Sequence, residues 1–138
     1  MKSTNADFTI DSNILIYAFG SQNEVKKRVA KSILSDCQAV SIQTINETVF
    51  ILQRKFNYTM IELDEIIQFF KYNFLIRDLT VTILEKAMHV MNIYKYSFWD
   101  SMMLASALVN NCEVFYSEDM HHNQIIENRL KIINPFIE

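Results

Sequence analysis

Four acidic residues occupy comparable places in this chain, each beside an apolar run. Asp11 closes Phe8-Thr9-Ile10 and precedes Ser12-Asn13-Ile14-Leu15. Glu47 follows Ser41-Ile42-Gln43-Thr44-Ile45-Asn46. Asp100 lies in Ser97-Phe98-Trp99-Asp100-Ser101-Met102, and Asp119, with Glu118 beside it, follows Val114-Phe115-Tyr116-Ser117. A carboxylate among apolar side chains is costly to bury unless a charge or a donor pairs with it. Four carboxylates gathered within about 6 Å repel by roughly 3 kcal/mol per pair at an effective dielectric near 20. Such a cluster must take up protons or bind a cation. An all-oxygen donor set suits hard cations, Mg²⁺ or Mn²⁺. Asn13, two residues after Asp11, is spaced to orient the first carboxylate through a hydrogen bond.

A simpler role competes for the same residues. Thr44-x-x-Glu47 and Ser97-x-x-Asp100 both match a capping box. Asp11 and the Ser117-Glu118-Asp119 run are also suited to helix or turn capping. Under that reading the chain is a non-catalytic binding or scaffold module whose acids cap helices. A receiver-like phosphorylation switch also carries acids at strand ends, but it needs an acidic pair at the first one, which Ile10-Asp11-Ser12 lacks.

The elements that must position the acids follow from periodicity. Residues 8–11 read as a short buried strand, and 12–19 as helix. Residues 23–36 have helical spacing, with Val25, Val29, Ile33 and Leu34 on one face. Strand 39–42 precedes a helix from Thr44 to about Phe56. A helix over 59–74 carries Met60, Leu63, Ile66, Ile67 and Phe70 as its stripe. A weak strand over 75–79, helices over 81–94 and 98–110, and strands at 113–116 and 131–133 complete the alternation. Alternating strands and helices imply α/β architecture with a mainly parallel sheet covered on both faces. Ligands bind such sheets beyond the carboxyl ends of the strands, where Asp11 stands.

Bulk properties set limits. The chain has 138 residues, half of them hydrophobic, which fits one folded domain over residues 1–138. Its net charge of -3 argues against a broad basic nucleic-acid surface but is compatible with an acidic metal site. One Gly and one Pro exclude a Gly-rich phosphate loop. No apolar run reaches membrane-span length, and MKSTNADFTID lacks the apolar segment of a signal peptide. Two cysteines, Cys37 and Cys112, are too few for a disulfide framework or a zinc site. Together these point to the cytoplasm.

Other residues receive plainer readings. His121 and His122 are adjacent and cannot form an i, i+4 metal pair, so both are expected in solvent. His89 is expected to pack within its helix. Trp99 is expected in the core, with base stacking as its competing role. Met102, Met103, Leu104, Ala105 and Ala107 read as buried helix. Lys26-Lys27-Arg28 reads as a solvated basic face, with an RNA-backbone contact as its competing role. The aromatic excess over residues 44–74 (Phe50, Phe56, Tyr58, Phe69, Phe70, Tyr72, Phe74) suits either a two-helix core contact or a groove for another helix.

Taken in order, IDSNILIYAF, SIQTINE, SFWDSMMLASAL and VFYSEDMHHNQIIENRLKIINPF resemble PIN-domain nucleases. The likeness is narrower still to the VapC-type toxins of bacterial and archaeal toxin–antitoxin modules, and it extends from Phe8 to Phe136. It implies a PIN-like three-layer αβα sandwich with a central, mainly parallel sheet flanked by helices. It also implies that the acidic quartet is Asp11, Glu47, Asp100 and Asp119, with Asn13 and Ser117 in supporting positions. The implied activity is RNA endonuclease chemistry requiring Mg²⁺ or Mn²⁺, in a homodimer blocked by a cognate antitoxin. Within that scheme Asp11 and Asp100 are expected to bind the principal metal. Asp119 would join them directly or through water, and Glu47 would hold a second metal or orient the attacking water.

Overall fold

The computed structural model describes residues 7–20 and 22–137; the first six residues of the opening stretch, Ser21 and Glu138 lie outside that description. Twelve elements are described. β1 (Phe8–Ile10) leads into α1 (Ser12–Gly20) and α2 (Glu24–Asp36), then β2 (Ala39–Ser41), α3 (Ile42–Phe56) and α4 (Met60–Asn73). β3 (Leu75–Arg77), α5 (Val81–Tyr94) and α6 (Phe98–Val109) follow, then β4 (Val114–Tyr116), β5 (Ile125–Ile126) and β6 (Leu130–Ile133).

β1 pairs in parallel with β4, and β4 in parallel with β6. β5 adds an antiparallel edge, and β2 and β3 form a parallel pair of their own. The two groups meet where the Thr9 hydroxyl donates to the Ala39 carbonyl at 3.1 Å. The lateral order is therefore β3-β2-β1-β4-β6-β5, with β1 near the middle. On one side Ile10, Ile14, Leu15, Val40, Leu52 and Phe70 form a core with α1 to α4. On the other, Phe115 and Ile132 pack against Met103, Leu104 and Leu108 of α6 and Val90 of α5. This is the expected three-layer, mainly parallel α/β architecture of a PIN fold. The Met102–Leu108 stretch is buried as expected, and both cysteines are buried.

Several expectations need correction. α3 begins at Ile42, capped by the Ser41 hydroxyl, which accepts from the Gln43 N–H. Thr44 is not the cap. Its hydroxyl donates to the Ile10 carbonyl at 3.1 Å and braces α3 against the end of β1. Met60 lies outside the buried stripe of α4, at 66% exposure, because only Leu63, Ile66 and Phe70 reach the core. Val25 is exposed for the same reason on α2, whose one buried residue is Ala30. His89 faces solvent rather than packing. The two-residue strand β5 gave no periodic signal.

The turn into α6 carries local strain. Lys95 closes α5 in the left-handed region at φ 65°, where a side chain is unfavourable and glycine is not. Lys95→Gly is expected to stabilise the protein by about 0.5–1 kcal/mol, a rise of a few degrees in Tm by calorimetry. An unchanged or lowered Tm would show that the Lys95 side chain contributes more than its backbone costs.

Candidate functional site

The parallel register sets Ile10 opposite Tyr116, so the residues that follow them, Asp11 and Ser117, emerge together at the carboxyl edge of the sheet. The Asp11 N–H donates to the Tyr116 carbonyl at 2.9 Å, which fixes the carboxylate at the mouth of the β1–β4 pair. Asp11 is 4% exposed. One carboxylate oxygen accepts from the Ser12 N–H at 2.6 Å, at the start of α1. The other accepts from the Ser117 hydroxyl at 2.7 Å and, more weakly, from the Asn13 amide at 3.4 Å.

Asn13 reaches further. Its amide donates to Asp119 at 3.2 Å, and its carbonyl accepts from the Glu118 N–H at 3.3 Å. The Ser117 hydroxyl oxygen accepts from the N–H groups of Asp119 and Met120. Ser117, not Asp119, is therefore what caps this turn. Glu118 points away from the other acids and is tied to Lys26 at 2.5 Å, with the Tyr17 hydroxyl donating to it. Burial alone would push the Glu118 carboxyl up, but the Lys26 and Tyr17 contacts outweigh it and hold it below its usual value. Lys26 is consequently not the solvated residue that the basic run suggested.

Charge draws the four acids into one field. Burial pushes Asp11 up to about 6, with the Ser117 hydroxyl opposing and the charges of Asp100 and Asp119 adding to the rise. Glu47, half-buried on α3, is pushed up to about 7 by burial first and then by Asp11 and Asp100, with a Ser12 hydrogen bond opposing. Burial, and then Asp119, also raise Asp100, against the Ser97 hydroxyl that caps α6. The structure thus sets Asp11, Asp100 and Asp119 within range of one another's charge and Glu47 within range of Asp11 and Asp100, with Asn13 and Ser117 between Asp11 and Asp119. The helix N-termini at Ser12 and Phe98 offset part of the repulsion.

The donor set is oxygen throughout, which matches Mg²⁺ or Mn²⁺ and suits zinc or copper poorly. Among the described residues no three acidic, His or Cys side chains are drawn together as a ready-made cage. Burial first, and the neighbouring charges second, raise the acids. The residues therefore fit a hard divalent ion by chemistry and by field.

Two participants were not legible in the sequence. Ser12 bridges Asp11 and Glu47, and nothing in its spacing marks it out. The Lys26–Glu118 pair spans 92 positions and needs the fold to appear. His121 and His122 are exposed, as expected, and the His122 ring accepts from the Asn134 N–H. Trp99 is the clearest departure, because it is 54% exposed rather than in the core.

The sequence matches the PIN domain family over residues 8–127. No curated protein matches it. Solved structures share the fold at low identity. A toxin–antitoxin complex from Klebsiella pneumoniae aligns at 21% identity and a TM-score of 0.70, covering 94% of this chain and 98% of that one. VapC20 of Mycobacterium tuberculosis, a toxin that cleaves the sarcin-ricin loop, aligns at 15% and 0.65, over 79% and 87% of the two chains. VapBC2 of Rickettsia felis, bound to a fragment of promoter DNA, aligns at 12% and 0.67, over 92% and 98%.

The raised Asp11 has a measurable consequence. Its folded form holds a proton more tightly than its unfolded form. Stability from this group is therefore full below its ordinary 3.8 and is lost as the pH rises through about 6. The loss amounts to about 3 kcal/mol in all. In EDTA, urea denaturation should show this decline between pH 4 and pH 7 for the wild type. Asp11→Asn should flatten it and be more stable than the wild type at pH 8. A variant that is less stable at pH 8 would contradict the penalty that burial, and then the neighbouring acids, place on the charged carboxylate.

Proposed function

This chain belongs to the PIN domain family, and we propose that it is a metal-dependent endoribonuclease serving as the toxin of a toxin–antitoxin module. The observation that carries this reading is the convergence of Asp11, Glu47, Asp100 and Asp119 in one field at the carboxyl edge of the sheet. The structural neighbours support it: one is a toxin that cleaves the sarcin-ricin loop, and another is a toxin–antitoxin complex. We take the cation to be Mg²⁺ or Mn²⁺, the site of action to be the cytoplasm, and the working form to be a homodimer held in check by a cognate antitoxin. Among the described residues no helix is long and apolar enough to cross a membrane.

Asp11 and Asp100 would hold the ion, with Asp119 as the third carboxylate. When bound, it supplies charge neutralisation at the phosphate and a lowered pKa for the attacking water. The protein's own groups do the positioning. The Ser117 hydroxyl and the Ser12 N–H hold Asp11 in one orientation, and Asn13 tethers the Asp119 turn to it. Glu47, half-buried on α3 beside Asp11 and Asp100, would hold a second ion or orient the attacking water. The capping alternative loses its footing at Glu47, because Ser41 already caps α3.

RNA cleavage by the purified protein tests the proposal. Total RNA and a transfer RNA pool should be cut in Mg²⁺ or Mn²⁺ and spared in EDTA. Asp100→Asn should cut at least on the order of a hundredfold more slowly. Calorimetry should detect Mn²⁺ binding to the wild type and weaker binding to the variant. Absence of both cleavage and Mn²⁺ binding would return the acids to a structural role.

A further inference from the structure

A cavity of about 560 Å³ opens beside the acidic centre, lined by Gln43, Asn46, Glu47, Phe50 and Ile51 of α3 and by Trp99 of α6. Its two aromatic rings are conspicuously wet: Trp99 is 54% exposed and Phe50 57%. Trp99 adjoins Asp100 in sequence and stands edge-on to Phe98, with ring centres 4.9 Å apart at 76°, a contact that steadies the indole. Phe50 lies one turn beyond Glu47 on α3. One turn further, the Arg54 guanidinium lies 5.3 Å from the centre of the Phe50 ring. Glu47, Phe50 and Arg54 thus succeed one another along one helix face over about 10 Å.

This combination constrains the occupant. Two exposed rings call for a flat, apolar face. The amides of Gln43 and Asn46 offer donors and acceptors for a polar edge. Arg54 calls for negative charge at the outer end, whereas Glu47 repels a free anion at the inner end. A nucleobase carried on a sugar–phosphate strand meets all of these at once. An apolar peptide side chain meets only the first.

Resting on the nuclease reading, we propose that this cavity takes one unpaired nucleobase of a single-stranded RNA, stacked on Trp99, next to the phosphate presented to the acids. Arg54 contacts the strand's phosphate on the far side of that base. Trp99 and Phe50 are then substrate-positioning residues that favour unpaired over duplex RNA.

Trp99 is the chain's one tryptophan, so its fluorescence reports on this cavity alone. The experiment titrates the protein, in EDTA to prevent cleavage, with four homopolymeric RNA hexamers, an abasic hexamer of equal charge and an apolar helical peptide. At least one base-bearing strand should quench Trp99 saturably, and the abasic strand and the peptide should not. By anisotropy of a labelled strand, Phe50→Ala and Trp99→Ala should bind about tenfold more weakly, and Trp99→Phe should recover most of the loss. Mn²⁺ binding should survive in all three variants. Failure of every base-bearing strand to quench, or quenching by the peptide or abasic strand instead, overturns the base pocket whatever cleavage assays give. Quenching by strands in a protein that neither binds Mn²⁺ nor cuts RNA would uphold the pocket and sink the nuclease reading.

Discussion

The hydrogen bond from the Ser117 hydroxyl to the Asp11 carboxylate joins residues 106 positions apart, and the site is arranged around it. It exists because β1 and β4 run parallel with Ile10 opposite Tyr116. A shift of one residue in that register would turn each of these side chains to the opposite face of the sheet. The same serine oxygen accepts the N–H groups of Asp119 and Met120, so one hydroxyl fixes both the first acid and the turn that bears the last. Thr44 extends the arrangement sideways by tying α3 to the end of β1, which sets the height of Glu47 on its helix.

Those contacts hold the acids where electrostatics would separate them. The protein tolerates this through donors rather than cations: hydroxyls, backbone N–H groups and helix N-termini face the carboxylates. Its nearest well-placed lysine, Lys26, is spent on Glu118 and steadies the turn without neutralising the cluster. A lysine inside the cluster would stabilise the folded chain and occupy the place of a divalent ion.

Much of this was legible in the sequence, for a physical reason. Strands that are buried on both faces must be apolar runs, so an acid at the end of such a run marks a sheet edge, and Asp11 and Asp119 were visible on that ground alone. The helices were equally plain in extent, but their exposure was not. Met60, Val25 and His89 were placed inward by residue type or spacing, yet their helices bury only a narrow stripe, and Trp99 stands in the first turn of α6, before its buried run from Ser101 to Leu108. Thr44 and Ser41 show the complementary limit. Both suit a helix start, and the choice between them rests on the Ile10 carbonyl, which is distant in sequence and adjacent in space. Contacts of that kind, Lys26 with Glu118 among them, have no local signature.

The strand order has a consequence for biosynthesis. β1 is made first, yet its place is between β2 and β4, and β4 emerges only after residue 113. Until then Asp11 lacks the strand beside it, the serine that holds it and the acid across from it. Ribosomes deliver the chain at about 5–20 residues per second, so the acidic edge stays unassembled for most of translation. A polypeptide released early, by a stalled ribosome or a broken message, carries Asp11, Glu47 and even Asp100 without the Asp119 turn. Only a chain translated past Asp119 can therefore close its acidic edge.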